Sequence, residues 1–120
     1  MKRIQSSLNT NSQAFRDNAE HNRGLAQQFR DKQQSTRFDR PDRDIERLRR
    51  QNKLTIRERL DLLLDAGTPY LELSSLAANE AYDGSVPAAA VVSGIGVVSG
   101  REVMIIGGDA SVKGGAWYPL

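Results

Sequence analysis

The stretch AAAVVSGIGVVSGREVMIIGGDASVKGGAWYP, residues 88–119, decides the fold because it holds the only long β-branched runs of the chain. Residues 90–98 and 101–107 are rich in Val and Ile, which predicts two strands. Ser99-Gly100 stands between them and predicts a two-residue hairpin turn, in which glycine is free to adopt a positive φ. Neither run alternates apolar and polar residues cleanly, so we expect a sheet covered on both faces.

The two halves of the chain differ in charge. Residues 1–65 carry 15 Lys and Arg against 10 Asp and Glu, whereas residues 66–120 carry 2 against 5. The first half can supply little core, and a two-stranded hairpin alone is only marginally stable in water. We therefore expect the chain to be the opening of a larger domain.

Composition argues against several classes of site. The sequence has no cysteine and one histidine, His21, so we expect no disulfide and no metal centre. No apolar run reaches the roughly 18 residues of a membrane span, and the N-terminus lacks the apolar region of a secretory signal. These features predict a cytoplasmic protein with no membrane partner, and the acidic residues from Asp17 onward argue against a mitochondrial presequence.

Two helices are predicted before the hairpin. Residues 12–34 have apolar residues at roughly helical spacing and charged residues between them, which predicts a long amphipathic helix weakened near Gly24. Residues 35–43 predict a loop, because Pro41 disfavours helix at the residue before it. Residues 45–52 then predict a second helix.

The densest basic cluster is RLRRQNK, residues 47–53. It has no interleaved aromatic residue and matches no nucleic-acid-binding motif, so we expect no nucleic-acid partner. Its cations suit an anionic ligand tail better, such as the phosphates of a nucleotide-bearing cofactor.

The best-defined local element begins at Thr55. Thr55 and Glu58 have the spacing of a capping box. Apolar residues follow at the spacing of one helical stripe: Ile56, Leu60, Leu63 and Leu64. Gly67 predicts the end of this helix and Pro69 prevents its resumption, after which residues 70–73 predict a short strand.

No motif establishes a reaction from the residues alone. Gly94, Gly96 and Gly100 do not have the spacing of a dinucleotide-binding motif, and they lead to a strand instead of a helix. Ser111 has no histidine partner for nucleophilic catalysis. Asp109, directly after two glycines, is expected to bind backbone N–H groups in a turn.

Three motifs in order resemble the β subunits of biotin-dependent acyl-CoA carboxylases. They are KLTIRERLDLLLDAG at 53–67, VSGIGVVSGR at 92–101 and DASVKGGAWYP at 109–119. The last segment is most similar in form to the β subunits that act on methylcrotonyl-CoA, with those that act on geranyl-CoA next. Trp117 stands where these relatives more often have Tyr, and residues 1–44 lack their glycine-rich insert.

The resemblance implies a crotonase-like α/β fold, a spiral of ββα units that this chain begins but does not complete. Residues 1–44 would form a helical N-terminal extension, and residues 45–120 the beginning of the acyl-CoA-binding domain. The implied activity is carboxyl transfer from carboxybiotin to a branched enoyl-CoA such as 3-methylcrotonyl-CoA. The implied partners are an α subunit that carries biotin and further β subunits in a homo-oligomer.

The resemblance also implies which residues lie near substrate. In the family, backbone N–H groups of glycine-rich turns hold the enolate oxygen, and those glycines are expected beyond residue 120. We therefore predict no catalytic residue and no cofactor bound by this chain alone. Lys113, Gly114 and Gly115 are predicted to lie nearest the substrate, or else to permit a tight backbone crossing.

Arg57 and Arg59 are predicted to contact CoA phosphates or another subunit, or else to form ordinary surface ion pairs. The isolated chain is expected to be an inactive part of a carboxyltransferase. The alternative is a small interaction or assembly protein derived from the same family segment.

Overall fold

The computed structural model describes residues 6–118. The helices are α1 (Gln13–Phe38), α2 (Asp42–Arg50) and α3 (Ile56–Leu63), and the strands are β1 (Leu71–Leu73), β2 (Val91–Val98) and β3 (Arg101–Gly108). Short 3-10 turns lie at Ala81–Gly84, Pro87–Ala90 and Lys113–Gly115. The expected truncation after Leu120 and the final Pro119 of the third motif lie outside the described residues.

The chain divides into two compact units, one up to Lys32 and one from Gln33 onward. The first unit holds most of α1, whose start is capped by Ser12, because its Oγ accepts the Phe15 N–H at 3.2 Å. None of the described residues in this unit is buried. The long helix is confirmed, and the predicted domain boundary between residues 44 and 45 stays a prediction.

The predicted loop over residues 35–43 was wrong at both ends. Helix α1 continues to Phe38 and α2 begins at Asp42, so only residues 39–41 separate them. Pro41 occupies the position before α2, where its ring prevents one continuous helix. The three-residue link is therefore set by the proline, as expected, but the helices on each side are longer.

Helix α3 ends at Leu63, earlier than the predicted stop at Gly67. The cause is a contact with the sheet, because the Asp65 N–H donates to the Val97 carbonyl at 2.9 Å. That bond takes the backbone of Asp65 away from the helical path. Gly67 lies in the following turn with a φ of 76°.

The capping box at the start of α3 is confirmed. Thr55 Oγ1 accepts the Glu58 N–H at 3.3 Å, and Glu58 Oε2 accepts the Thr55 N–H at 2.8 Å. The same carboxylate accepts a hydrogen bond from Arg49 Nη1 at 2.9 Å. One carboxylate therefore fixes the start of α3 and ties it to the end of α2.

This arrangement predicts a defined pH response. The hydrogen bonds from Arg49 and Thr55 lower the pKa of Glu58 from 4.5 to about 2. Because the folded pKa is depressed, the carboxylate stabilises the fold above pH 4.5, and that contribution is lost as pH falls towards 2. We expect Glu58→Gln to be less stable than the wild type at pH 7, with the difference shrinking at low pH. Urea midpoints measured from pH 7 to pH 2 test this, and a pH-independent difference would contradict it.

The sheet is antiparallel in the order β1-β2-β3. Val98 pairs with Arg101, so Ser99-Gly100 forms the predicted turn, with φ values of 51° and 74°. Two positive φ values are those of a type I′ hairpin. Asp65 closes the turn, because its carboxylate accepts the Ser99 N–H at 2.8 Å and the Gly100 N–H at 2.7 Å.

The inner face of the sheet packs on α3. The buried residues of this core are Ile56, Leu60 and Val92, with Leu64, Tyr70 and Ile105 partly buried against them. A second cluster joins Val86, Ala90 and Val112, with Tyr118 packed on it. The second cluster holds the segment after β3 against the segment before β2.

Residues 6–118 leave much of the second face of the sheet exposed, so its expected coverage on both faces stays a prediction. Alternate side chains of β2 and β3 point away from α3, and at one end of this face Trp117 Nε1 lies 3.7 Å from where a Cβ on Gly108 would be. Large apolar residues exposed on the three strands are Leu71, Ile95, Met104 and Ile106. The apolar runs that predicted double coverage therefore leave one open apolar face, which we call the outer face.

Glu72 in β1 is a buried carboxylate held by two arginines. Arg57 of α3 binds it through two nitrogens at 2.9 and 2.6 Å, and Arg37 of α1 through Nε at 2.6 Å. Burial raises the pKa of Glu72, but the two arginine hydrogen bonds outweigh it and the pKa is lowered. The ion pairs thus join the C-terminal part of α1, helix α3 and the sheet.

No helix in residues 6–118 has both the length and the apolar character needed to cross a membrane.

Candidate functional site

The segment from Asp109 to Gly115 follows β3 and carries the predicted site residues. Its backbone folds on itself, because the Val112 N–H donates to the Asp109 carbonyl at 2.9 Å and the Gly115 N–H to the Val112 carbonyl at 2.8 Å. The Asp109 N–H donates to the Ala90 carbonyl at 2.8 Å. These bonds give the segment a defined path at one end of the sheet.

Asp109 organises the start of this segment from a buried position. Its Oδ1 accepts the Ser111 N–H at 3.0 Å and also the Ser111 hydroxyl, which confirms the predicted turn role. Its Oδ2 accepts Arg40 Nη2 at 2.9 Å in an ion pair whose side chains are 7% and 4% exposed. The sequence did not indicate Arg40, because the partners are separated by 69 residues.

Helix α2 makes a second contact to the same segment. Arg47 Nη2 donates to the carbonyl of Ala110 at 3.0 Å. Arg47 belongs to the basic cluster at residues 47–53, whose other arginines have different contacts. Arg49 binds Glu58, and Arg50 lies 3.8 Å from Glu46 in an exposed pair.

The turn Lys113–Gly115 is exposed and has three consecutive positive φ values of 46°, 73° and 84°. A Cβ on Gly114 would meet no atom within 4 Å, so the available space does not require glycine there. The positive φ does, because residues with a side chain adopt it less readily than glycine. A Cβ on Gly115 would lie 3.4 Å from the Cα of Ala110. Glycine therefore lets the chain reverse here and present the Lys113 side chain.

A basic cavity of about 770 Å³ lies between α2 and this turn. Its charged lining is Arg40, Arg43, Arg47, Arg50 and Lys113, with Asp39 and Asp44 as the acids. Cations outnumber acids in this lining, a balance that suits an anionic ligand. Arg43, Arg47 and Arg50 are spaced by four and three residues, so the sequence contained a signal that one face of α2 is basic.

The structure brings Lys113 to the cavity lined by the basic face of α2, with Gly114 and Gly115 next in the same turn, but it does not place Arg57 there. Arg57 is committed to the buried Glu72. Arg59 is exposed and lines a separate cavity of about 360 Å³ with Lys53, Leu54 and Ala110. Among residues 6–118, no cluster of His, Cys, Asp and Glu side chains has the makings of a metal site.

Comparison with known proteins gives a family for this arrangement. The model of the carboxyl transferase domain matches residues 47–120. The mitochondrial methylcrotonoyl-CoA carboxylase beta chain of Arabidopsis thaliana is 37% identical over 113 residues, which are 94% of this chain and 19% of that relative. The biotin-dependent 3-methylcrotonyl-coenzyme A carboxylase beta1 subunit of Mycobacterium tuberculosis is 53% identical over 68 residues, 57% of this chain and 13% of that subunit.

Solved structures give the same result. The beta subunit of geranyl-CoA carboxylase from P. aeruginosa has a TM-score of 0.64 and 32% identity, over 95% of this chain and 21% of that one. Transcarboxylase 12S, a hexamer described with methylmalonyl-coenzyme A bound, has a TM-score of 0.66 and 31% identity, over 78% of this chain and 19% of that one.

The chain thus spans about one fifth or less of the length of these relatives. Its helices and sheet have the crotonase-like α/β fold of carboxyltransferase β subunits, as the resemblance implied. The match begins at Arg47 on the basic face of α2 and includes the Lys113–Gly115 turn. This chain belongs to the carboxyl transferase domain family.

Proposed function

We propose that this chain supplies part of the acyl-CoA-binding domain of a carboxyltransferase β subunit, the region predicted from residue 45 onward. The reaction would be carboxyl transfer from carboxybiotin to a branched enoyl-CoA such as 3-methylcrotonyl-CoA. The observation that carries the proposal is the basic cavity between α2 and the Lys113–Gly115 turn. It places an excess of cationic side chains beside a motif of the matched family.

The residues of the cavity fit the polar end of a CoA thioester. CoA carries several phosphate charges at one end, and arginine pairs with phosphate through two parallel N–H donors. Arg43 and Arg50 have side chains that are 84% and 76% exposed, so both are accessible to a ligand. Lys113 is exposed and has no ion-pair partner among residues 6–118. These three side chains are the proposed phosphate contacts.

We assign no residue of this chain to biotin, which supplies the carboxyl group when its carrier is bound. An α subunit that carries biotin and further β subunits are the proposed partners. Their support is the relationship to proteins described as beta chains and as a hexameric assembly. The proposed location is the cytoplasm or, in a eukaryote, the mitochondrial matrix; its support is that two relatives are named as mitochondrial.

A small interaction or assembly protein is the second candidate. The exposed apolar outer face, formed by Leu71, Ile95, Met104 and Ile106, favours it because such a patch is typical of a protein contact. This candidate predicts no affinity for CoA. Measuring CoA binding therefore separates the two functions.

Removing two exposed cations of the cavity should weaken CoA binding. We expect the double variant Arg50→Gln/Lys113→Gln, made in the natural polypeptide that carries this sequence, to bind CoA at least about tenfold more weakly, because a hydrogen bond to a charged group contributes roughly 1.5–3 kcal/mol. Isothermal titration with CoA and with 3-methylcrotonyl-CoA measures the effect.

The matched control is Arg101→Gln. Arg101 is also exposed and basic, but it lies beside the Ser99-Gly100 turn at the other end of the sheet. We expect this variant to bind CoA as the wild type does. The same loss for each charge removed in the two variants would show that only net charge matters, and no loss in either would show that CoA does not bind in this cavity.

A further inference from the structure

The network of Arg40, Asp109 and Ser111 is buried and touches the proposed substrate turn only through the backbone. Arg40 Nε donates to Ser111 Oγ at 3.0 Å and Nη2 to Asp109 Oδ2 at 2.9 Å. Asp109 and Ser111 are each only 3% exposed. The three side chains are therefore closed to solvent, beside a cavity lined by exposed cations.

Arg40 is held in one orientation by four acceptors. Besides the two side chains, Nη1 donates to the Asp39 carbonyl at 2.8 Å and Nη2 to the Thr36 carbonyl at 3.0 Å. Only a planar guanidinium can donate in these directions at once. Because four of its five N–H donors bind protein groups, Arg40 is poorly placed to bind a ligand although it borders the cavity.

The hydrogen bonds continue from this network to the turn. The backbone carbonyl of Asp109 accepts the Val112 N–H, and the backbone carbonyl of Val112 accepts the Gly115 N–H. Arg47 adds a bond to the carbonyl of Ala110. The path of the turn is therefore fixed from its N-terminal side by two arginines, Arg40 in the link before α2 and Arg47 in α2.

We propose that the Arg40–Asp109–Ser111 network is a positioning device for the Lys113–Gly115 turn, and that it sets the turn for a CoA thioester. This inference rests on the proposed function. The network does not touch the substrate. Stability alone does not require a buried ion pair, because a well-packed apolar cluster of the same volume is often equally stabilising or better. Rigid placement of a binding turn, in contrast, needs directional bonds.

Ser111→Ala is the sharpest test, because it removes one hydroxyl and keeps the Arg40–Asp109 pair. In the natural full-length protein we expect kcat/KM for 3-methylcrotonyl-CoA to fall roughly ten- to a hundredfold, the range known for small misplacements of positioning groups. Amide hydrogen exchange at Val112 and Gly115 should become faster. Ser111→Thr, which keeps the hydroxyl, should restore most of both properties.

Asp65→Ala is the matched control, since it removes hydrogen bonds at the far end of the sheet. It should lower Tm without changing KM for the acyl-CoA or exchange at Val112 and Gly115. If Ser111→Ala behaves like Asp65→Ala, the network is only stabilising and the positioning role is overturned. If the wild type binds no acyl-CoA, that result contradicts the proposed function itself. It also overturns the proposal that the network sets the turn for a CoA thioester.

Discussion

Replacing Glu72 with alanine is expected to destabilise the fold by roughly 3 kcal/mol, the low end of the range for breaking a buried ion pair. The carboxylate is 3% exposed and receives three hydrogen bonds from Arg37 and Arg57. Its loss leaves Arg57, whose side chain is 20% exposed, without its counter-charge. A domain is typically stable by only 5–15 kcal/mol, so the effect is a large share of the total.

Urea denaturation followed by circular dichroism measures this effect, with Glu46→Gln as the control. Glu46 also pairs with an arginine, Arg50, but both side chains are mostly exposed, so we expect a change of less than about 0.5 kcal/mol. The Glu72 ion pairs would be unimportant if the two variants were equally stable.

Gly94→Ala is expected to have the second large effect. A Cβ at this position would lie 2.5 Å from the Leu71 carbonyl oxygen and 2.5 Å from the ring of Tyr70. The first of these atoms belongs to the backbone of the neighbouring strand β1 and cannot swing away. Strand β1 or the ring must therefore shift, which costs about 1–3 kcal/mol for an overpacked core.

Gly24→Ala tests whether space is the cause. Gly24 lies in the exposed helix α1, and a Cβ there would meet no atom within 4 Å. Alanine is the better helix former by roughly 1 kcal/mol, so we expect this variant to be slightly more stable than the wild type. Thermal unfolding of both variants gives the comparison. A neutral Gly94→Ala would contradict the close packing of β1 on β2.

Features determined by neighbouring residues were predictable from the sequence. The capping box needs only Thr55 and Glu58, three residues apart, and the hairpin needs only Ser99-Gly100 between two β-branched runs. Both were confirmed in the structure. The family was predictable for a similar reason, because its three motifs are contiguous stretches of sequence.

Features made by distant residues were not predictable in this way. Arg40 and Asp109 are 69 residues apart, and Arg37 and Glu72 are 35 apart, so no local pattern indicates either pair. The capping box and the apolar stripe predict a helix that includes Asp65, whereas its role at the hairpin turn depends on how α3 packs against the sheet. Arg57 shows the same limit, since it was predicted to contact CoA or another subunit or to form a surface ion pair, and its ion pair with Glu72 is buried.

The outer face of the sheet shows a different limit. Apolar runs predict burial, but they do not show which element provides it. Within residues 6–118, Met104 and Ile106 remain more than half exposed, so the coverage of this face stays a prediction. The pattern of the strands identified the apolar positions, but it does not show what covers them.

The most direct test of the central claim is photo-crosslinking of the natural polypeptide with an azido derivative of CoA, followed by peptide mass mapping. We expect labelled peptides that contain the basic face of α2, residues 42–50, or the Lys113–Gly115 turn, with labelling suppressed by excess CoA. Specific labelling confined to other parts of the protein, or none that CoA suppresses, would contradict the claim that this cavity binds the CoA phosphates.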